Sequence, residues 1–428
     1  MAEFKPVLLS LPSLAPSLAV EVIPFGLTIH RIFVQVDGRT HDIVIGPEAP
    51  EDHTVVKYTN TIVGRYANRV PVGTHTVDKD GVSSQFTAIT NESPQVSLHG
   101  GPTGFDQRAW TQLPSLSSAT LFTPAEISAI AEAAPGESSA AIFTLTSEDG
   151  DQGYTGRLLL EVLIAVVQPG PGRTTGGAEH ELGSVVIVYR AKVDEKAGEK
   201  VVTPINITQH WGFNLDASLK DGPDSLSVMN HNMNMKSTHV AELLPNHLPS
   251  GNYIPIAEAD GGSGAHVHGN KRIGDGFPKG GYDDYYLLSP RPASASPHRI
   301  PLSSFAPSLD LVKGLLVGGR RDPVLELSSD RSGLAVEFDT NQAGLMFYTN
   351  NWADAKGYRK KIHGGSGVKG DGYIPQSAAF IEFHEPLSAF LYPTTTSTDT
   401  LLTSDEIYNN FVRADVILRR VDHTGTGV

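Results

Sequence analysis

Short apolar runs rich in Val, Ile, Leu, Thr, Phe and Tyr recur along the whole chain, and Gly or Pro closes most of them off. Branched and ring-bearing side chains suit a pleated, half-buried surface, and Gly and Pro mark the turns between strands. Leu158–Val167 (LLLEVLIAVV), Gly183–Val193 (GSVVIVYRAKV) and Leu334–Thr340 (LAVEFDT) are predicted strands. The first two flank Gln168–Leu182, rich in Gly, Pro and Thr, so a hairpin is expected there. Thr203–Leu215 also reads as strand. Only Pro124–Ala134 and Ser404–Val412 carry a helical pattern. Strands along the whole length with almost no alternating helices predict an all-β protein, a large antiparallel β-sandwich with few short helices.

No repeat of fixed period is present. The Gly-rich stretches Asp260–Asn270 and His363–Gly372 have strand-like sequence on both sides, which makes them surface loops rather than linkers. At 428 residues the chain exceeds the usual domain size, yet large sandwiches exceed it as one unit, so a single domain spanning 1–428 is expected.

Composition narrows the function. Lys and Arg number 33 and Asp and Glu 47, so the net charge is 33 − 47 = −14, which repels phosphate backbones and anionic lipid. Neither nucleic acid nor membrane is an expected partner. With no cysteine there is no disulfide, thiolate chemistry or Cys-ligated metal. The N-terminus, interrupted by Pro12 and Pro16, lacks a basic segment ahead of a clean apolar stretch, and no apolar run nears the roughly 18 residues of a spanning helix. A cytoplasmic protein is expected.

Several familiar catalytic patterns are missing: no G-x-S-x-G elbow, P-loop, H-E-x-x-H or G-x-G-x-x-G occurs. What remains are polar groups inside strand-like or turn sequence. Asn68 and Arg69 stand side by side in GRYANRV, able to fork hydrogen bonds onto hydroxyls. His210 interrupts TPINITQHWGFNL, where an inward-facing imidazole is either a satisfied core group or a proton carrier. His99 opens a Gly-rich turn in LHGGPTGFD, with or without a function. Glu382, between Phe380, Ile381 and Phe383, is the better candidate for a base. Asp283, in GGYDDYYLL, is either functional or a surface residue at a strand start. His266-Val267-His268 offers two ligands of a metal site if it is a strand, but its DGGSGA and GN neighbours point to a solvated loop.

Together these segments resemble the aldose 1-epimerases (galactose mutarotases). The usual landmarks of that family are GRxANRI, LHGG…GFD…W, TPxNLTNHSYFNL, GYDHNF, YTGN and GFCLE. Here they stand, in the same order from about Ile23 to Pro393, as GRYANRV, LHGGPTGFDQRAW, TPINITQHWGFNL, GYDDYYLL, FYTNNW and AAFIEFHEP. The resemblance implies a mutarotase-like sandwich with an open sugar cleft, His210 as general acid and Glu382 as general base. It further implies that Asn68, Arg69, His99 and Asp283 hold the ring hydroxyls of an aldose, with Trp211 or Trp110 giving an apolar face. No metal, nucleotide or other cofactor is implied, and the oligomeric state is left open, monomer or weak dimer.

The matches have departures. Gln209 replaces Asn, Trp211-Gly212 replaces Ser-Tyr, Asp284 replaces His, and Met346 and His384 stand where Gln is common. They bear on which sugar is taken rather than on the reaction. The competing readings are an epimerase of phosphorylated hexoses, a sugar-binding module without catalysis, and a glycoside hydrolase or lyase using Asp283 and Glu382.

Overall fold

The strand at Leu158–Val167 pairs antiparallel along its length with Glu179–Val193, as the expected hairpin requires. The second strand starts earlier than its sequence pattern suggests, and the middle of the loop, 170–178, lies outside the described residues. The structure is a computed structural model and describes residues 2–136, 138–169, 179–195, 199–291, 296–317, 322–392 and 399–419.

These two strands belong to a ten-stranded sheet whose centre is Glu406–Arg419, flanked by Glu179–Val193 on one side and Leu334–Thr340 on the other. Ser404–Val412, expected as a helix, is therefore the start of a central strand. Its Ile407, Tyr408, Phe411 and Val412 fit a helical spacing, but hydrogen-bonding partners on both sides override local preference. The helix expected at Pro124–Ala134 forms as Pro124–Ala133, with Thr123 and Glu126 making a reciprocal capping box.

Seven strands make the second large sheet: β1 (Thr61–Val63), β2 (Thr208–Phe213), β3 (Ser237–Leu243), β4 (Pro249–Pro255), β5 (Asp283–Leu288), β6 (Gly344–Tyr348) and β7 (Ala379–His384). Their spatial order is β4-β3-β5-β6-β7-β2-β1, and every pairing is antiparallel. The segment Thr203–Leu215 is split: Val202–Pro204 pairs with Leu401–Thr403, and only Thr208–Phe213 enters this sheet.

One face of the seven-stranded sheet packs on the ten-stranded sheet. Trp211, Phe213 and Phe383 converge on Phe338 of Leu334–Thr340, with ring centroids 5.9, 5.4 and 5.6 Å away. Because side chains alternate along a strand, residues one position away from these point to the opposite face. That face carries His210 and Glu382. A four-stranded N-terminal sheet from Val7–Ser10 to Arg39–Asp42 joins the same apolar core. Among the described residues no helix is long and apolar enough to cross a membrane.

The long segment between β6 and β7 is fastened to the N-terminal sheet by Lys360, which is shut off from solvent and donates to His30 O at 2.6 Å, Asp42 Oδ2 at 2.7 Å and Val44 O at 2.8 Å. A buried ammonium is tolerated when every N–H finds an acceptor and one of them is charged.

Candidate active site

Register places the two central groups side by side. Trp211 pairs with Ile381 and Gly212 with Phe380, so one step back along β2 His210 faces Glu382 on β7. Their Nε2 and Oε1 atoms are 3.1 Å apart. Burial works against the imidazolium, but the charge and hydrogen bond of Glu382 outweigh it and raise the pKa of His210. For Glu382, burial favours the neutral acid, and the His210 charge and hydrogen bond overcome this to hold it at about 2. At neutral pH the pair is imidazolium and carboxylate. Among the described residues Glu382 Oε2 has no hydrogen-bond partner.

His99 stands over this pair, its ring centroid 5.3 Å from that of His210. It sits in the left-handed region at φ 52°, followed by Gly100 at φ 87°, where an added Cβ would lie 2.1 Å from Gly64 O. Only glycine fits so close an approach. The Asn68 N–H donates to His99 Nδ1 at 3.2 Å, and the His99 N–H donates back to Asn68 O at 3.1 Å. Burial pushes the imidazole down to about 3, so it is neutral, with its proton on Nε2. Asn68 Oδ1 accepts from the Arg69 N–H at 2.9 Å, which leaves the amide group of Asn68 as a donor for a ligand.

Arg69 is oriented by a two-pronged bond to Glu92, Nε to Oε2 at 2.9 Å and Nη2 to Oε1 at 3.0 Å, and its Nη2 also reaches Asp283 Oδ2 at 3.4 Å. Burial raises the pKa of Asp283, opposed by Arg69. These groups line one cavity of about 320 Å³, together with Tyr58, Tyr348, Trp352 and Phe380. Aromatic side chains with a few convergent polar groups are the usual lining of a small-molecule site.

His99, His210 and Glu382 also offer one possible metal-ligand atom each within 4.8 Å of one another. The His210 nitrogen nearest Glu382 is already engaged with that carboxylate, and the His99 ring is fixed with Nδ1 as acceptor from backbone.

A profile of the aldose 1-epimerases matches residues 14–384. The chain belongs to the aldose 1-epimerase family. Among curated relatives, galactose mutarotase from Sus scrofa is 26% identical over 339 residues, covering 79% of this chain and 76% of that protein. Aldose 1-epimerase from Escherichia coli K12 is 24% identical over 339 residues, covering 75% and 82%. The fold is shared with solved structures: an aldose epimerase homologue from C. elegans has TM-score 0.67 at 17% identity, covering 96% of this chain and 98% of that one. Galactose 1-epimerase from Lactobacillus acidophilus has TM-score 0.61 at 18% identity, again covering 96% and 98%.

Of the epimerase-type residues named from sequence, the cavity brings together Asn68, Arg69, His99, His210, Asp283 and Glu382. Trp211 is not among them. One residue from His210 on the same strand, it points the other way and is fully buried against Phe213 and Phe338. Trp110 is buried beside Phe105. The tryptophan at the cavity is Trp352, 68% exposed and tilted against Tyr348 with ring centroids 5.6 Å apart. FYTNNW already contained both rings, and two-residue alternation back from Glu382 could have found Phe380. Lys57, Tyr58 and Thr59 come from a loop that had no sequence signal.

Other departures from the epimerase pattern are also placed. Met346 lies opposite Glu382 on β6 and packs with Tyr285 and Leu387. His384 donates from Nδ1 to Glu385 O at 2.7 Å and is buried. Asp284 Oδ2 accepts the Asp283 N–H at 3.2 Å. His266 and His268, expected in a solvated loop, are buried at 3% and 1% exposure. Both rings bond the Tyr286 hydroxyl, at 2.7 and 3.2 Å, so flanking glycines misstate their surroundings.

Proposed function

We propose that the protein interconverts the α and β anomers of free aldohexoses of the glucose or galactose type, with His210 as general acid and Glu382 as general base. The observation that carries this reading is the charged His210–Glu382 pair at 3.1 Å in a cavity that is also lined by Arg69, Asp283, Asn68 and His99. In a cyclic aldose the ring oxygen and the anomeric hydroxyl are attached to the same carbon, so acid and base must converge on the two oxygens of that one carbon. Neighbouring strands achieve that.

In the forward step Glu382 Oε2 takes the proton of the anomeric hydroxyl while the C1–O5 bond breaks and O5 takes the Nε2 proton of His210. The product is the open-chain hydroxyaldehyde, with Glu382 protonated and His210 neutral. After rotation about C1–C2, O5 attacks the other face of C1, returning its proton to His210 as the new anomeric oxygen takes the proton of Glu382. Arg69, Asp283, Asn68 and His99 hold the ring through its hydroxyls, and Trp352 covers the mouth.

Polarimetry on freshly dissolved α-D-glucose and α-D-galactose tests this. Glu382→Gln and His210→Asn should each lower the catalysed rate by about 10² to 10⁴. Wild-type rates in both variants would rule the assignment out.

A further inference from the structure

The sheet beneath the cavity is built in rows across its strands. The first row runs Tyr285, Met346, Glu382, His210, and the next runs Asp283, Tyr348, Phe380, Gly212. Asp283, Tyr348 and Phe380 line the cavity, whereas His384, two residues to the other side of Glu382, does not. A sugar whose anomeric carbon lies at His210 and Glu382 therefore extends over the second row.

Its orientation follows from the chemistry. The ring oxygen faces His210 on β2, so C5, the next ring atom, and its substituent lie over the β2 and β7 end of the row, at Gly212 and Phe380. C2 and C3 lie toward Tyr348 and Asp283, where Arg69 and Glu92 add polar groups. The end of the row beneath C5 is apolar. Phe380 leans across β2 into the space over Gly212, where an added Cβ would meet its ring at 2.7 Å, and its centroid is 4.9 Å from His210 and 5.7 Å from Tyr348. Of the loop residues that line the cavity, Thr59 Oγ1 donates to Lys57 O and Lys57 Nζ to Pro102 O, each at 3.4 Å. This is also where the sequence departs from NHSYFNL and GFCLE, with Gly212 in place of Tyr and Phe380 in place of Cys.

We propose that Phe380, seated over Gly212, selects aldoses with an apolar substituent at C5, so that 6-deoxyaldohexoses are preferred to the corresponding hexoses. The inference rests on the epimerase reading above, which sets the orientation of the ring. A hydroxymethyl group held against Phe380 turns its hydroxyl toward an aromatic ring that offers no ordinary hydrogen bond, whereas a methyl group gains contact with that ring.

The test compares 6-deoxy-D-galactose with D-galactose and 6-deoxy-D-glucose with D-glucose, measuring kcat/KM by polarimetry and affinity by calorimetry. Both measures should favour the deoxy sugars by about tenfold, within the roughly hundredfold that an apolar pocket can impose against an added hydroxyl. Phe380→Ala should bring the ratio toward one, and Phe380→Leu, still apolar, should keep most of it. Equal or hexose-favouring ratios in the wild type, or a ratio unchanged by Phe380→Ala, would overturn the inference. Mutarotation without preference removes this inference and leaves the epimerase reading, preferential binding without mutarotation does the reverse, and neither binding nor turnover removes both.

Discussion

His210 on β2 donates to Glu382 on β7 across a single strand-to-strand step, Nε2 to Oε1 at 3.1 Å, with both side chains nearly closed to solvent. Each group sets the charge of the other. Burial alone would neutralise both.

The His210 ring should accordingly titrate above its ordinary value of 6.5 in NMR spectra of the wild type, and below 6.5 in Glu382→Gln, where burial remains and the counter-charge is gone. A wild-type midpoint below 6.5 would contradict the pairing. The signs for stability follow. Glu382, depressed from 4.5 to about 2, stabilises the fold above pH 4.5 and loses that contribution as pH falls toward 2. His210, raised from 6.5, contributes fully below pH 6.5 and loses its share as pH rises through the folded value. The kcat/KM profile should be flat through mildly acidic pH and fall on the alkaline side as His210 loses its proton.

Trp352 is the exposed tryptophan of the three, and Trp110 and Trp211 are 3% and 0% exposed. Adding sugar should change the tryptophan fluorescence of the wild type, and Trp352→Phe should abolish the change. Trp352→Ala should raise KM while shifting stability by no more than about 0.5 kcal/mol, because the side chain lies at the surface. A persistent fluorescence response in Trp352→Phe would place the sugar elsewhere.

Lys360→Met would leave the Asp42 carboxylate buried with Arg31, at 3.6 Å, as its one cationic partner among the described residues. Breaking one side of a buried pair costs about 3–5 kcal/mol, with Arg31 drawing this case toward the lower figure. Urea unfolding monitored by circular dichroism measures it. A loss under about 1 kcal/mol would mean that Lys360 does not fasten the segment between β6 and β7.

Gly100→Ala should destabilise the fold by more than the about 1–3 kcal/mol of a strained backbone, because φ 87° is compounded by overlap with Gly64 O. The residue that survives folding should bind sugar weakly, since His99 is displaced with it. Thermal unfolding and calorimetric titration with galactose read the two effects separately.

The sandwich was legible because its strands alternate apolar runs with Gly and Pro, and the site because His210, Glu382, Asn68, Arg69, His99 and Asp283 sit in ordered segments of distinctive composition. Three kinds of information were hidden. Glu406–Arg419 looks helical at its start because its partners are Glu179–Val193 and Leu334–Thr340, far away in sequence. Trp211 is next to His210 in sequence, and that very adjacency on a strand turns it to the opposite face, away from the cavity. Tyr58 and Trp352 reach the cavity from loops, whose path no periodicity records.

Gly212 and Phe380 occupy one volume between them, and that makes their histories inseparable. A large residue at both positions overlaps, as the 2.7 Å approach of a Cβ to the ring already indicates, and a small residue at both leaves a hole beside His210. Moving the aromatic ring from one strand to the other thus takes two substitutions with an unfavourable state between them, whichever comes first. Sequences in this family should fall into two groups at these sites with few intermediates, and grafting either residue alone into a relative should damage it before changing its taste in sugars.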